Sequence, residues 1–482
     1  MGLKQANRQK KTSERVLSTS LLAIASSFCL YIAGKNNSRP LNIDVFSSSQ
    51  STQLPSNPLL RMPNDGRRRL EAIPLPDDRR KDPSEIRYAF LGTSNTWGAG
   101  IGSGEILDRK TFAFPWLVNP NARNFSVRAG GPAYAATCTS TIVGEEMFDV
   151  VVFEYYMRAH EGIATLARRI RERFPDAMLI FLMNWNPTNI HRCIDEDCTS
   201  DDELMLNWVK DHGFDIQNGG LLHPKVHQLF EESTDTWSWH SWGLESKRNI
   251  IYQASHDVGG FVSQMEAPEN PKDWIQYADM FASDAHHPSK KGHEQMARRV
   301  FNIVEYYGVI REPRLGKFTT SDHCVNWFET GDTRGIDISP NGVLESLLNR
   351  RSPTFDKFAL SFEGSEGWIR INNPFGIRME LYIGYMTTAP TSIYPKTQAV
   401  IELLDGNGEE PVTLDVDAVA EYGNRPVHIS RVLKVGIVNA GHSIVRFKEM
   451  EKSEKPFRLV SVLLSTGKDD AVQLLRLPGN VQ

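Results

Sequence analysis

Met178-Leu179-Ile180-Phe181-Leu182-Met183 is an uninterrupted apolar run that follows Pro175-Asp176. A strand with one wet face alternates polar and apolar residues, so a run this uniform is too apolar for an edge and reads as a parallel strand buried on both faces. Upstream, Ile163, Leu166, Ile170 and Phe174 recur on one helical face with arginines opposite, and Asp149-Val150-Val151-Val152-Phe153-Glu154-Tyr155 precedes them as another strand. Strand, helix and strand in that order imply a right-handed crossover and a sheet covered by helices on both sides. Tyr88-Ala89-Phe90-Leu91 supplies a first strand, and a helix over residues 294–306 closes the pattern. The expected fold class is therefore α/β in three layers. Between residues 185 and 273 the pattern dissolves into Trp-, His- and Asp-rich loops with a short helical interlude, expected to lie over a substrate cleft.

Past Arg314 the grammar changes. Short strand-like runs recur between turn signals, at residues 358–362, 368–371, 379–383, 399–404, 433–437, 442–447 and 457–463. Asp405-Gly406-Asn407-Gly408 and Asn439-Ala440-Gly441 read as hairpin punctuation. An antiparallel β-sandwich of jelly-roll style is expected there.

Two segments far apart carry residues with chemistry. Gly92-Thr93-Ser94-Asn95-Thr96-Trp97-Gly98 follows the first strand, where a serine on a strand-to-loop turn is exposed at the carboxyl edge of the sheet. Gly92, Gly98 and Gly100 allow close approach of a substrate to the Ser94 backbone N–H. Asp284-Ala285-His286-His287-Pro288 precedes the last helix. A serine hydroxyl becomes nucleophilic when a base takes its proton, and a carboxylate holds that base in the right tautomer. Asp284 and His287 can do both. His286 could compete as the base, and His293 reads as a structural histidine opening the helix.

These segments resemble the first and last blocks of the SGNH (GDSL-type) hydrolases, over roughly residues 86–307. The resemblance implies a three-layer, flavodoxin-like catalytic domain with Ser94, Asp284 and His287 as the triad. Asn124 to Pro132 looks like the family's second block, in which Gly131 or Gly130 would donate to an oxyanion together with the N–H of Ser94. Two positions depart from the family. Thr93 stands where it has an aspartate, and Tyr156-Met157-Arg158-Ala159 stands where it has Gly-x-Asn-Asp. Arg158 falls near the missing asparagine, where it could stabilise an oxyanion or pair with Glu154.

The chain has 482 residues, 40% hydrophobic and 23% charged, enough for two substantial cores. A net charge of −5 argues against nucleic acid as a partner. His223, His227 and His240 have no spacing that demands a metal, and no cofactor is implied. Basic residues up to Arg15 precede an uncharged stretch over residues 16–34, which reads as a signal-anchor with residues 1–15 in the cytoplasm; a cleaved signal peptide is the alternative. Residues 35–83 resemble a flexible stem, 84–312 the catalytic domain and 313–482 the β-sandwich. A type II membrane protein of the Golgi, secretory pathway or cell surface would hold Cys138, Cys193, Cys198 and Cys324 in an oxidising compartment, where an even number permits three pairings. Cys193 and Cys198 are expected to close a small loop, leaving Cys138 to join Cys324. Asn36 and Asn124 match the glycosylation acceptor pattern, with only Asn36 expected to be accessible.

The expected function is hydrolysis of an ester on an acylated polysaccharide or glycoconjugate. An O-acyltransferase with the same triad and a non-catalytic glycan-binding protein are the alternatives. Trp185, Trp208, Trp237, Trp239 and Trp242 could stack on sugar rings.

Overall fold

The computed structural model describes residues 73–466 apart from 102–109, 129–130, 157–158, 160–161, 185–190, 194–237, 241–243, 266–279, 283–286, 319–321, 329, 347–357, 365, 388–396, 405–411, 417–428 and 450–456. In the first half, β1 (Tyr88–Gly92), β2 (Arg123–Asn124), β3 (Val150–Glu154), β4 (Met178–Met183) and β7 (Phe261–Gln264) form a five-stranded parallel sheet in the order β2-β1-β3-β4-β7. A short antiparallel pair, β5 (His191–Cys193) and β6 (Ser238–His240), stands apart from it. Every residue of β1, β3 and β4 is buried, as the apolar runs require.

Alternate residues of each strand enter different cores. Ala89, Leu91, Val151 and Phe153 pack with α3 (Pro132–Thr137), α5 (Gly162–Arg173) and α6 (Leu244–Asp257). Tyr88, Phe90, Val150 and Val152 pack with α2 (Phe114–Val118) and α7 (Lys290–Tyr307) on the other face. The side-chain period of two along a strand thus builds a three-layer domain. At the sheet's lower end the buried Asp149 carboxylate takes both the Lys81 ammonium at 2.9 Å and the Arg87 guanidinium at 3.2 Å, fixing the start of β3 against the chain entering β1.

The second half is an antiparallel β-sandwich. One sheet runs β10 (Gly342–Ser346), β11 (Phe358–Phe362), β18 (Leu459–Ser465), β13 (Met379–Thr387), β16 (Ile429–Val438), with β8 (Asp322–Asn326) also paired to β18. The other runs β15 (Val412–Val416), β14 (Thr397–Leu403), β17 (Gly441–Glu449), β12 (Glu366–Asn373), β9 (Ile336–Ile338). Leu381, Ile383, Val462 and Leu464 from the first meet Ile369, Ile371, Val445 and Phe447 from the second in one core, where Phe362 stacks on Phe447 at 5.6 Å between centroids. Cys138, at the junction of α3 with α4 (Thr139–Val143), is bonded to Cys324 of β8, so a disulfide ties the sandwich to the α/β layer. Beside it the Asp322 carboxylate accepts from the Ser140 hydroxyl at 2.6 Å and the Thr141 N–H at 3.2 Å.

Several expectations are corrected. Asn439-Ala440-Gly441 does not close a hairpin: β16 and β17 lie in different sheets, and the segment is a corner that crosses the sandwich, with Gly441 at φ 96°. Asn373 holds this corner by donating to Asn439 O at 3.0 Å. The stretch after residue 185 is less irregular than its composition suggests, because α6 spans fourteen residues and β7 completes the parallel sheet. The last helix starts at Lys290, a turn earlier than expected, where the Ser289 hydroxyl caps it by accepting from Gly292 N at 3.3 Å. Residues 16–34, residues 35–72 of the expected stem, Cys198 and four of the five tryptophans lie outside the described residues. Residues 73–83, also assigned to the stem, instead pack on the α/β domain, Leu75 N donating to Tyr307 O at 2.8 Å and Lys81 N to Val309 O at 2.7 Å. Among the described residues no helix is long and apolar enough to cross a membrane.

Candidate active site

The carboxyl edge of the parallel sheet gathers the residues with chemistry. β1 ends at Gly92, where an added Cβ would lie 2.0 Å from Thr96 Oγ1 and 2.9 Å from Glu154 O, so the chain turns there only without a side chain. Thr93 then caps the short helix α1 (Ser94–Trp97), its hydroxyl accepting from Asn95 N at 3.4 Å. Ser94 is the first residue of that helix, half-buried, with its N–H in the turn where no intrahelical acceptor exists.

His287 comes from a loop whose ends are pinned together. Ala282 N donates to His287 O at 2.8 Å and Ser289 N to Met280 O at 2.9 Å, framing residues 283–286. His287 Nε2 stands 2.9 Å from Ser94 Oγ, across 193 positions of sequence. The Ser94 hydroxyl and the His287 imidazole are thus in the hydrogen-bond contact that a serine nucleophile and its base require. Asp284 and Arg158 lie outside the described residues. Gly131 is buried, at φ −91° and ψ 178°, where the chain from β2 enters α3 at the same sheet edge. The segment before it runs along β1, with Arg123 and Asn124 in register and Phe125 N and Val127 N donating to Phe90 O at 2.8 Å and Gly92 O at 3.1 Å. Asn124 folds its side chain inward, donating to Thr96 O at 2.8 Å and accepting from the Ser126 hydroxyl at 2.7 Å.

Sequence reasoning missed the residue that builds the Ser94 turn. Glu154, fully buried at the end of β3, accepts from Thr93 Oγ1 at 2.8 Å, Thr96 Oγ1 at 3.1 Å, Thr93 N at 3.4 Å and Asn95 Nδ2 at 3.2 Å. Burial raises its pKa above the ordinary carboxylate value, opposed by these donors. The arrangement explains Thr93: an aspartate there would press a second carboxylate against a buried one, whereas a hydroxyl donates to it. An acidic residue ending an otherwise apolar strand was the signal for Glu154.

His293, on the first turn of α7, is fully buried. Its Nδ1 accepts from Phe114 N at 3.4 Å and its Nε2 lies 3.3 Å from Ala99 O, which together define a neutral ring protonated at Nε2. Desolvation holds its pKa down at about 4. Gly100, at φ 94°, is packed against the base turn, where an added Cβ would fall 2.3 Å from Pro288 O and 2.8 Å from His287 Cβ. Gly100 thus sets the spacing between the Ser94 and His287 segments, and its missing side chain leaves room for the His287 turn.

Farther back, Arg299 of α7 is buried and donates from Nε to Ser263 Oγ at 2.9 Å and from a terminal nitrogen to Met183 O at 3.2 Å, with Asn184 Oδ1 and Ser263 O as further acceptors. Desolvation lowers its pKa to about 9. Among the described residues no group of three or more His, Cys, Asp and Glu side chains is placed to hold a metal.

No protein-family model matches the chain. No curated protein matches it either. Solved structures similar to it include a two-domain esterase active on acetylated mannans, 13% identical with a TM-score of 0.41 over 80% of this chain and 93% of that one. TesA is 12% identical with a TM-score of 0.27, over 45% of this chain and 98% of that one. A family 35 carbohydrate-binding module from Clostridium thermocellum is 14% identical with a TM-score of 0.20, over 30% of this chain and 97% of that one.

Proposed function

We propose that this chain is a serine esterase that removes an acyl group from an acylated carbohydrate or glycoconjugate. The observation that carries the reading is the 2.9 Å contact between Ser94 Oγ and His287 Nε2 at the carboxyl edge of a parallel sheet. In the proposed reaction His287 Nε2 takes the hydroxyl proton as Ser94 Oγ bonds to the ester carbonyl carbon. The carbonyl π electrons move onto oxygen, where the Ser94 N–H, the Gly131 region and Arg158 would receive the charge. Collapse breaks the bond to the alcohol, which leaves with the proton from His287. Water, deprotonated by the same ring, then attacks the acyl-enzyme, releasing the acid and restoring Ser94. Asp284, three residues before the base, would orient its ring and support the imidazolium.

Arg158 is not needed to explain Glu154, whose carboxylate is engaged by Thr93, Asn95 and Thr96. The carbohydrate part of the proposal rests on the sequence, in which a signal-anchor, a stem and a β-sandwich accompany the catalytic segments. The catalytic part is tested by labelling with a fluorophosphonate, which reacts with activated serines. Labelling of the wild type that disappears in Ser94→Ala supports the reading, and an unlabelled wild type refutes it. Release of acetate from acetylated polysaccharides, compared with transfer to an added sugar, separates esterase from acyltransferase.

A further inference from the structure

Behind the nucleophile lies a cavity of about 20 Å³, bounded by Asn95 of α1, Asn184 at the end of β4, Arg299 of α7 and the side chains of Met280, Phe281 and Met296. A space of this size holds one water molecule. Its polar lining is incomplete in a specific way. The Asn95 amide is oriented by Glu154, because Nδ2 donates to Glu154 Oε1 at 3.2 Å and the flipped amide would set oxygen against oxygen. That leaves Asn95 Oδ1 buried with no hydrogen-bond partner among the described residues. Asn184 is oriented by Arg299, whose guanidinium donates to its Oδ1, and the flipped amide would oppose two donors. That leaves Asn184 Nδ2 buried and unpartnered as well. The two residues are 4% and 6% exposed.

One orphan acceptor and one orphan donor therefore belong to residues lining the same small chamber. Buried polar groups in folded proteins are satisfied by protein or by ordered water. Water both accepts from an amide N–H and donates to an amide oxygen. An anion would accept from Asn184 and Arg299 but leave unsatisfied the Oδ1 of Asn95, whose Nδ2 binds the Glu154 carboxyl. An apolar acyl chain would satisfy neither.

We infer that one internal water bridges Asn184 Nδ2 to Asn95 Oδ1, and that Arg299, Asn184 and Asn95 act through it as positioning residues for the Ser94 turn. The chain of contacts runs from Arg299 to Asn184, through the water to Asn95, and on to Glu154, which holds Thr93 and Thr96 on either side of the nucleophile. Arg299 lies on the helix that follows the His287 loop directly. The network thus ties the base-bearing and nucleophile-bearing elements together behind the reacting atoms, touching neither substrate nor the reacting oxygen. The catalytic consequence rests on the serine esterase reading; the water does not.

The test has two arms. A high-resolution crystal structure of the full chain should show a solvent peak within hydrogen-bond distance of both amides, lost in Asn184→Leu. Fluorophosphonate labelling, resolved into a limiting rate and a half-saturating concentration, should show the limiting rate of Asn184→Leu reduced by about tenfold or more with half-saturation unchanged, as misplacement of a nucleophile predicts. Asn184→Ser, which keeps a donor, should recover most of that loss. A purely structural role would instead lower the labelled fraction and the melting temperature while the folded molecules react at the wild-type limiting rate, and that result overturns the positioning role. A cavity with no bridging solvent, or with an anion on Arg299 alone, overturns the water. If the wild type does not label at all, the esterase reading fails and the crystallographic arm still decides the water.

Discussion

Thr93 Oγ1 donates a 2.8 Å hydrogen bond to Glu154 Oε2, joining the turn after β1 to the end of the neighbouring strand β3. Glu154 has no cationic partner among those contacts, so the turn is held by hydroxyl and amide donors to a buried carboxyl. Glu154→Ala should strand several of these donors and lower stability by about 2–4 kcal/mol, at about 1–3 kcal/mol for each group left unsatisfied with partial relaxation. Thr93→Asp should also destabilise, because two buried carboxyls would then share one site, and adding Glu154→Gln should restore part of the loss. Urea midpoints for the single and double variants measure both effects. Additive losses would show that the two side chains are not coupled.

Gly100 sits where the loop after Ser94 meets the His287 turn, in a conformation that disfavours side chains and with Pro288 O already in the way. Gly100→Ala should push the His287 turn away from Ser94. A displacement near one ångström costs on the order of 10²-fold in rate. The expected outcome is a large drop in fluorophosphonate labelling rate with a folded protein by circular dichroism. Wild-type labelling in this variant would remove Gly100 from the site's construction.

His293 predicts a pH dependence of stability. Its pKa is about 4 in the fold against an ordinary 6.5. Between those values the unfolded chain binds a proton that the folded chain does not, so protons favour unfolding and stability falls as the pH drops through that window. The gap corresponds to roughly 3 kcal/mol at most. His293→Gln should be less stable at neutral pH but should lose less on going from pH about 7 to about 4.5. Chemical denaturation at the two pH values checks the difference, and an equal acid loss in both proteins would show that His293 is not its source.

The bond from Cys138 to Cys324 closes a loop between residues 186 positions apart. Replacing both cysteines with serine should lower stability by about 2–4 kcal/mol, largely through a freer unfolded chain. Because Cys324 begins the attachment of the sandwich, the sandwich should become the first part to lose protection in hydrogen exchange. Unchanged exchange at β8 and β18 would contradict this.

For fluorophosphonate labelling, His287→Ala should fall to a small fraction of the wild-type rate with little change in melting temperature, since the ring is half-buried and contacts the Ser94 hydroxyl from one side. A variant that labels at the wild-type rate would exclude His287 as the base.

Much of the fold is local in origin and was legible for that reason. The run at residues 178–183 is buried on both faces wherever it folds, and the period of Ile163, Leu166 and Ile170 marks a helix with one apolar side. The meeting of Ser94 with His287 was legible as well, because strand, turn and helix order send both to one edge of the sheet. Seven strands of the second half were visible one by one, but not β8, β9, β10 or β15, and not the partners of any: whether Asn439-Ala440-Gly441 joins neighbours or crosses between sheets depends on which apolar faces meet, and no segment contains that information alone.

The amino-acid sequence by itself therefore determined the long apolar strands, the helices α5 and α7 and the serine and histidine that face each other, since each follows from periodicity or from chemistry carried within a few residues. Only the tertiary structure decided what Glu154, Gly100, Asn184 and Arg299 do. A buried carboxyl, a glycine or a guanidinium has no fixed role until distant segments bring donors, acceptors or a backbone within about 3 Å of it, the range over which a hydrogen bond acts.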